Sequence, residues 1–392
     1  MTSAAKAVTG EPHIFVVAGE ESGDRLGATL IGAIKDRTHG RVYFSGVGGP
    51  HMAAEGMPSL YSLNDLSSFG FVSLLGRLPT MLRRMRETVD AIISTKPDVL
   101  VIIDSPDFTH RVARKVRARD PNIPIVDYVC PTVWAWRPGR AQAMKPYVDH
   151  VLALFPFEPA IMQRLGGPTT TFVGHPLVEQ VSTLRPATGK VDPRMSDPPL
   201  LLVLPGSRTG EIRRMAGIFG EAVALIAGRV NPLEIVVPAV PRLAETIKAV
   251  VGQWRTRVRT VVDAKEKYEA FRRARAALTK SGTSTLELAL AGVPMAAAYK
   301  VPLIEEAVGR LLITATSAIL PNLIVSENVV PEFLQRDCTP DKLSKALLPL
   351  LSDTPERRRQ VEAFKRLDDL MEIGHATPSE RAAEIVLEYA RR

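Results

Sequence analysis

Ala276-Ala277-Leu278-Thr279-Lys280-Ser281-Gly282-Thr283-Ser284-Thr285-Leu286-Glu287 decides the fold, because an apolar run ends in small polar residues and a helical pattern starts at once. The same transition occurs earlier, where Leu200–Leu204 is followed by Pro205-Gly206-Ser207-Arg208. Strand, tight turn and helix open a parallel βαβ unit. Small residues in such a turn let the N–H groups of a helix start approach an anion, and Arg208 adds a charge-assisted fork. Two such turns in one half of the chain predict a diphosphate site formed by Gly206, Ser207, Arg208, Ser281, Gly282 and Thr283. Glu287, about one turn into the second helix, is placed to accept hydrogen bonds from sugar hydroxyls such as those of a ribose. Ordinary capping by Ser and Thr explains either turn taken alone. It explains the pair less well.

Working outward, strand-like runs alternate with helical patterns almost throughout. In the first half the runs are Ile14–Ala18, Val42–Gly46, Val99–Ile103, Ile125–Val129, Val151–Leu154 and Thr171–Val173. The alternation lapses between residues 183 and 200 in a polar, proline-bearing stretch. It resumes with Leu200–Leu204, Glu234–Val237, Val258–Val262, Ala276–Thr279 and Pro294–Tyr299. This pattern predicts an α/β fold of two doubly wound parallel-sheet domains, residues 1–184 and 185–365. Residues 366–392 are expected to form C-terminal helices that can pack back on the first domain. In such sheets ligands bind outside the carboxyl ends of the strands, so a cleft between the domains is the expected site.

A length of 392 residues suits two domains, since single cores rarely grow past roughly 250 residues. Cys130 and Cys338 stand far apart and alone, which excludes a disulfide framework or a zinc site and fits a reducing cytoplasm. The first apolar run, Ile14–Ala18, reads as a strand rather than a leader, and no run approaches the roughly 18 residues that span a bilayer. The net charge of +8 favours anionic partners: nucleic acid, phosphorylated substrates or an acidic lipid surface. Nucleic acid is the weakest of these, because no binding motif is present and no aromatic residues interleave with the basic ones.

Gly19-Glu20-Glu21-Ser22-Gly23-Asp24 follows the first strand without forming a dinucleotide fingerprint. Its carboxylates would repel a phosphate and suit sugar hydroxyls. Asp104, in Asp104-Ser105-Pro106-Asp107-Phe108, ends a strand where a carboxylate can take a proton from an attacking hydroxyl, while Asp107 suits a helix N-cap. Neither acid has histidines or carboxylates spaced for a metal, and no cofactor is indicated. Trp134 and Trp136, with Arg137, either stack on sugar, line an acyl path or simply pack. His175 ends the last strand of the first half and either meets a ligand or is structural. The helix over Leu78–Ser94 carries Leu78, Met81, Leu82, Met85, Val89, Ile92 and Ile93 on one face, with Arg83, Arg84 and Arg86 elsewhere. Preceded by the apolar Phe69-Gly70-Phe71-Val72-Ser73-Leu74-Leu75, this helix is either a core element with a basic outer face or a surface for acyl chains and headgroups.

Taken together, these segments resemble the lipid-A-disaccharide synthases, glycosyltransferases of bacteria that build a lipopolysaccharide outer membrane. The resemblance spans nearly the whole chain. It is carried by Ala18–Asp24, Ile103–Phe108, Val133–Arg137, Phe155–Glu158, Gly174-His175-Pro176, Leu204–Arg208, Ser281-Gly282-Thr283 and Leu320-Pro321-Asn322-Leu323. It implies a GT-B fold of two Rossmann-like domains, the first holding mainly the acceptor and the second mainly the nucleotide-sugar donor. It also implies inverting transfer of 2,3-diacylglucosamine from UDP-2,3-diacylglucosamine to 2,3-diacylglucosamine 1-phosphate, giving a β-1,6-linked disaccharide and UDP. By the same resemblance Asp104 is the candidate base, Glu20 an essential acid, and Arg208 and Asn322 residues of the active site. Glu20, Ser22, Phe71, Val72, Met81, Trp134, Trp136, Arg137 and His175 would then face the acceptor and its lipid chains.

Such substrates imply peripheral attachment to an anionic membrane surface, the cytoplasmic face of the inner membrane, through residues 69–82. Oligomeric state and acyl-chain length stay open. The chain departs from the family pattern at Phe69–Ser73, where Met-Gly-Phe/Ile-Val-Glu is common, and at Cys130-Pro131-Thr132, where Ser-Pro-Ser is common. The loss of a carboxylate at Ser73 bears on acceptor contacts, not on the chemistry. Another GT-B enzyme of UDP-sugars, or a non-catalytic lipid or nucleotide carrier, is the alternative.

Overall fold

A computed structural model describes residues 10–66, 74–187, 192–302, 306, 317–372 and 374–391, with the backbone alone for 74–78. Apolar runs become strands buried on both faces, because helices cover each side of an all-parallel sheet. The first sheet contains β1 (His13–Ala18), β2 (Tyr43–Val47), β3 (Val99–Ile103), β4 (Ile125–Tyr128), β5 (His150–Ala153) and β6 (Thr169–Phe172). Its strand order is β2-β1-β3-β4-β5-β6. The second contains β7 (Leu200–Leu204), β8 (Glu234–Pro238), β9 (Arg259–Val261), β10 (Ala274–Lys280), β11 (Met295–Tyr299) and β12 (Glu332–Leu334). Its order is β12-β11-β10-β7-β8-β9. Every pairing in both sheets is parallel.

All eleven expected strands are present within a few residues of their expected ends, and β12 is the addition. With three residues at a sheet edge, it leaves no apolar run to read.

The helices that matter for the site are α1 (Glu21–Thr38), α2 (Leu74–Thr95), α3 (Pro106–Arg119), α4 (Thr209–Ala227), α5 (Thr283–Ala291), α6 (Leu320–Val325), α7 (Pro355–Met371) and α8 (Pro378–Ala390). One core gathers Phe15, Leu100, Ile102, Phe108 and Val112 with Met85, Val89 and Ile92 of α2. The other gathers Leu201, Val203, Ile212, Phe219 and Leu278. Phe219 is fully buried there, and its truncation to alanine would cost about 3–5 kcal/mol.

The chain divides into two compact units. One runs to Pro176 and takes in the C-terminal residues after Glu372; the other is Leu177–Glu372. Helix α8 therefore belongs with the first unit. It opens on a capping box in which Thr377 Oγ1 accepts from Glu380 N and the Glu380 carboxylate accepts from Thr377 N. It packs against α1, and Tyr389 Oη meets His150 Nδ1 at 3.2 Å. Helix α7 stays with the second unit, where the Gln360 amide brackets the backbone of Met295.

Candidate active site

Strand order brings together the residues that matter in each unit. In the second sheet β7 and β10 are neighbours, with Leu204 opposite Thr279. The two glycine-bearing turns, distant in sequence, thus leave adjacent strands at their carboxyl ends, where the strand order reverses. Gly206 is required there: its φ is +132°, and a Cβ would stand 2.8 Å from both Cβ and Oε2 of Glu211. Glu211 Oε2 accepts from Ser207 N at 3.1 Å, and Arg242 Nη2 donates to Ser207 O at 2.9 Å. The Arg208 side chain is 79% exposed and, among the described residues, makes only a long 3.8 Å contact to Glu211, which leaves its guanidinium facing solvent.

In the other turn Ser281 is occupied within the protein. Its N–H donates to Ala298 O at 2.9 Å and its hydroxyl to Ala318 O at 2.7 Å. Ser281 orders the turn, and the N–H groups presented at the start of α5 begin at Gly282 and Thr283. Glu287 is mostly buried and ion-paired with Lys267 at 2.6 Å. Asn322 is buried with all four hydrogen-bonding positions used: Nδ2 donates to Val330 O and Glu332 Oε1, and Oδ1 accepts from Val329 N and Val330 N. Glu332 also accepts from Ser317 Oγ and from Ala318 N, so Asn322 reaches the Ser281 turn through the 317–319 backbone rather than by offering its own amide. Beyond β11 and β12, Arg214, Lys300 and Arg336 line a cavity of about 530 Å³ together with Glu306, three basic side chains to one acidic.

In the first sheet the reversal lies between β1 and β3, with Ala18 opposite Ile103. Asp104 and Ser105 both adopt left-handed backbone, φ 53° and 47°, a strain of the kind that clusters at functional sites. Gly19 lets this happen, since a Cβ there would stand 2.4 Å from Ser105 Cβ. Asp104 Oδ1 accepts from Ser105 N at 2.7 Å and Oδ2 from Ser22 Oγ at 3.2 Å, while its carbonyl accepts from Thr109 Oγ1. Glu20 is exposed at the N-cap of α1 and its side chain has no hydrogen-bond partner in the described structure. Asp24 is fully buried and holds the loop after β2 by accepting from Gly49, His51 and Met52 N–H. On β4, opposite Ile102, Asp127 is buried 3.1 Å from His110 Nε2; burial raises its carboxyl, the histidine opposes this, and Asp104 adds to it. Asp107 is exposed at the start of α3 and, among the described residues, makes only a 3.7 Å contact with Arg140.

An aromatic group covers the carboxyl ends of β4 to β6. Trp134 stands edge-on to Phe157 at 5.4 Å, Phe157 stacks on Phe155, and Phe155 stacks on His175. Burial lowers the His175 imidazole to about 4, which keeps it neutral at pH 7. Trp134 Nε1 donates to Glu158 Oε1 at 3.2 Å, and Glu158 also accepts from Leu154 N and Phe155 N. Burial nevertheless pushes that carboxyl up to about 8. Trp136 donates to Thr132 Oγ1 and lies beneath the Arg137 guanidinium at 4.3 Å.

Phe71 and Val72 lie outside the described residues. Met81 packs on the first core, whereas Leu82 turns outward beside Arg83 and Arg86 around a surface hollow of about 360 Å³. Among the described residues no group of three or more His, Cys, Asp or Glu is arranged to hold a metal ion, and no helix is long and apolar enough to cross a membrane.

Lys280, Asp24 and Glu158 stand within the motifs quoted from the sequence but were given no role of their own there, and Glu211 and Glu332 were not named. Of the two residues not named, Glu211 carried a local signal, an acid three residues after the helix N-cap Arg208.

The sequence pattern of one family, lipid-A-disaccharide synthetase, matches residues 14–386. The lipid-A-disaccharide synthase of Rhodopseudomonas palustris (strain HaA2) is 54% identical over 390 residues, 99% of each chain. That of Nitrobacter winogradskyi is 55% identical over 378 residues, 96% of each. Among solved structures, the UDP-GlcNAc 2-epimerase of Neisseria meningitidis bound to UDP-GlcNAc superposes with a TM-score of 0.62 at 13% identity, over 96% of this chain and 100% of that one. The calicheamicin glycosyltransferase CalG4 superposes with a TM-score of 0.61 at 18% identity, over 97% and 99%. At such identities the likeness is one of fold, and that fold is GT-B.

Proposed function

The chain belongs to the lipid-A-disaccharide synthase family of glycosyltransferases, and on that footing we propose that it transfers 2,3-diacylglucosamine from UDP-2,3-diacylglucosamine to 2,3-diacylglucosamine 1-phosphate. The products are the β-1,6-linked disaccharide 1-phosphate and UDP. The observation that supports this reading best is the pairing of β7 with β10, which sets the two glycine-bearing turns side by side at the carboxyl ends of adjacent strands.

The second unit holds the donor. Arg208, the Gly206-Ser207 turn and the N–H groups at Gly282 and Thr283 take the diphosphate, and Glu287 takes ribose hydroxyls. Asn322 and Ser281 keep the turn in place. The first unit holds the acceptor, with Glu20 and Ser22 at its sugar and Trp134, Trp136, Arg137 and His175 along its sugar and acyl chains. Phe71, Val72 and Met81 complete the lipid contacts.

Asp104 accepts the proton of the acceptor 6-hydroxyl as that oxygen bonds to the anomeric carbon and the bond to the diphosphate breaks. Attack opposite the leaving group inverts the anomeric centre. The charge that grows on the departing UDP is met by donors already in place, an effect for which one donor is worth roughly 3 kcal/mol. Lipid substrates bring the enzyme to the cytoplasmic face of the inner membrane as a peripheral protein. Leu82 set between Arg83 and Arg86 supports that placement.

The decisive experiment is mass spectrometry of a detergent reaction containing both substrates, run beside Asp104→Ala. A tetraacyl disaccharide phosphate formed by the unmutated protein alone is the expected result. UDP release without disaccharide would leave the donor site and reject the acceptor. Stoichiometric binding with no turnover would favour a carrier.

A further inference from the structure

Lys280 is the last residue of β10 and directly precedes the Ser281-Gly282 turn. Its Nζ lies 3.0 Å from Glu211 Oε1 and 4.6 Å from the centre of the Tyr299 ring. It is also 3.5 Å from the point where a Cβ on Gly282 would stand. Glu211 lies in the first turn of α4, directly after the opposite turn, and its other oxygen accepts from Ser207 N of that turn. The ammonium therefore sits between the two turns that a diphosphate would bridge.

An ammonium has three N–H donors, and the partners it meets among the described residues, one carboxylate oxygen and a ring face, do not use all of them. The side chain keeps 15% exposure, enough to reach a ligand at the strand end. Burial works to raise the Glu211 carboxyl, but Lys280, the Ser207 N–H and Arg208 together hold it below the ordinary range. Glu211 stays anionic and tethers the lysine by charge. Arg208, on the other turn, is free to close on the same ligand from solvent.

We propose that Lys280 is a phosphate ligand of the donor site, positioned by Glu211 and the Tyr299 ring and acting together with Arg208 on the donor's diphosphate. The proposal rests on assigning the β7 and β10 turns to a nucleotide diphosphate. A lysine that only neutralises Glu211 would make the same ion pair but would leave binding indifferent to the presence of phosphates.

Calorimetric titration of the full chain with UDP and with uridine tests this on three proteins: unmutated, Lys280→Met, and Lys280→Met combined with Glu211→Gln. The double variant removes both charges and so avoids a stranded buried carboxylate. In both variants UDP binding should weaken about tenfold or more while uridine binding stays unchanged. The dependence of UDP affinity on salt should also become shallower. UDP binding unchanged in the double variant, or UDP and uridine weakened alike, would overturn the role of Lys280 and leave the donor site standing. Failure of the unmutated chain to bind either ligand would overturn the nucleotide assignment itself, and this proposal with it.

Discussion

The Ser22 hydroxyl donates to Asp104 Oδ2 at 3.2 Å, tying the turn after β1 to the turn after β3 across 82 residues of sequence. With Ser105 N on the other oxygen, both lone-pair faces of the carboxylate are oriented before any substrate arrives. If Asp104 is the base, a carboxylate held in this way loses little entropy on reaching its transition-state geometry.

Replacing Asp104 by asparagine keeps the shape and removes the basicity. Turnover should fall by about 10²- to 10⁴-fold with UDP affinity and melting temperature unchanged. Ser22→Ala should cost far less. Less than a tenfold loss in Asp104→Asn would remove it from the role of base.

Arg208→Ala should slow turnover by about a hundredfold. Because the side chain is 79% exposed, thermal stability should not move. Arg208→Lys should recover only part of the rate, since an ammonium lacks the planar fork. Steady-state kinetics at saturating donor give the answer, and an unaltered rate in Arg208→Ala rejects the assignment.

Gly19→Ala sets a Cβ 2.4 Å from Ser105 Cβ and 2.7 Å from its hydroxyl, so it should lower the melting temperature and the activity together. Ser105→Gly removes that clash and also suits φ 47°. The double variant should therefore melt above Gly19→Ala alone, a coupling of about 1 kcal/mol or more. Additive effects would show that the two residues do not meet.

Glu158 titrates near 8 when folded and near 4.5 when unfolded. Between those values the unfolded chain releases a proton that the folded chain keeps, so stability falls as pH rises through this window, by at most roughly 1.4 kcal/mol per unit, and levels off above it. Glu158→Gln should flatten that slope in melting temperatures taken from pH 5 to 9. An identical slope in both proteins would mean that burial does not hold the Glu158 proton.

Sedimentation with anionic vesicles at low salt should capture the protein. Arg83→Gln with Arg86→Gln should weaken that binding by roughly tenfold or more, given about 1 kcal/mol per basic residue at such a surface. Partitioning that ignores both changes would locate the membrane contact elsewhere.

Much of this is legible in the sequence. Fully apolar runs such as Val99–Ile103 and Leu200–Leu204 announce strands covered on both faces, and Asp104, Ser22 and Arg208 stand at their ends because turns need small or polar residues. The three-residue β12 was not legible, nor was Asn322's use of its whole amide inside the protein.

By itself, the sequence determined the alternation of strand and helix, the two parallel sheets and the chemical types gathered at the strand ends, since all of these follow from local periodicity and turn chemistry. The tertiary structure alone decided that β1 lies beside β3 and β7 beside β10, and hence that Ser22 meets Asp104 and that Lys280 at the end of β10 is held by Glu211 at the start of α4. Strand neighbours are chosen by the packing of whole layers, and no local pattern of residues encodes which distant ends will touch.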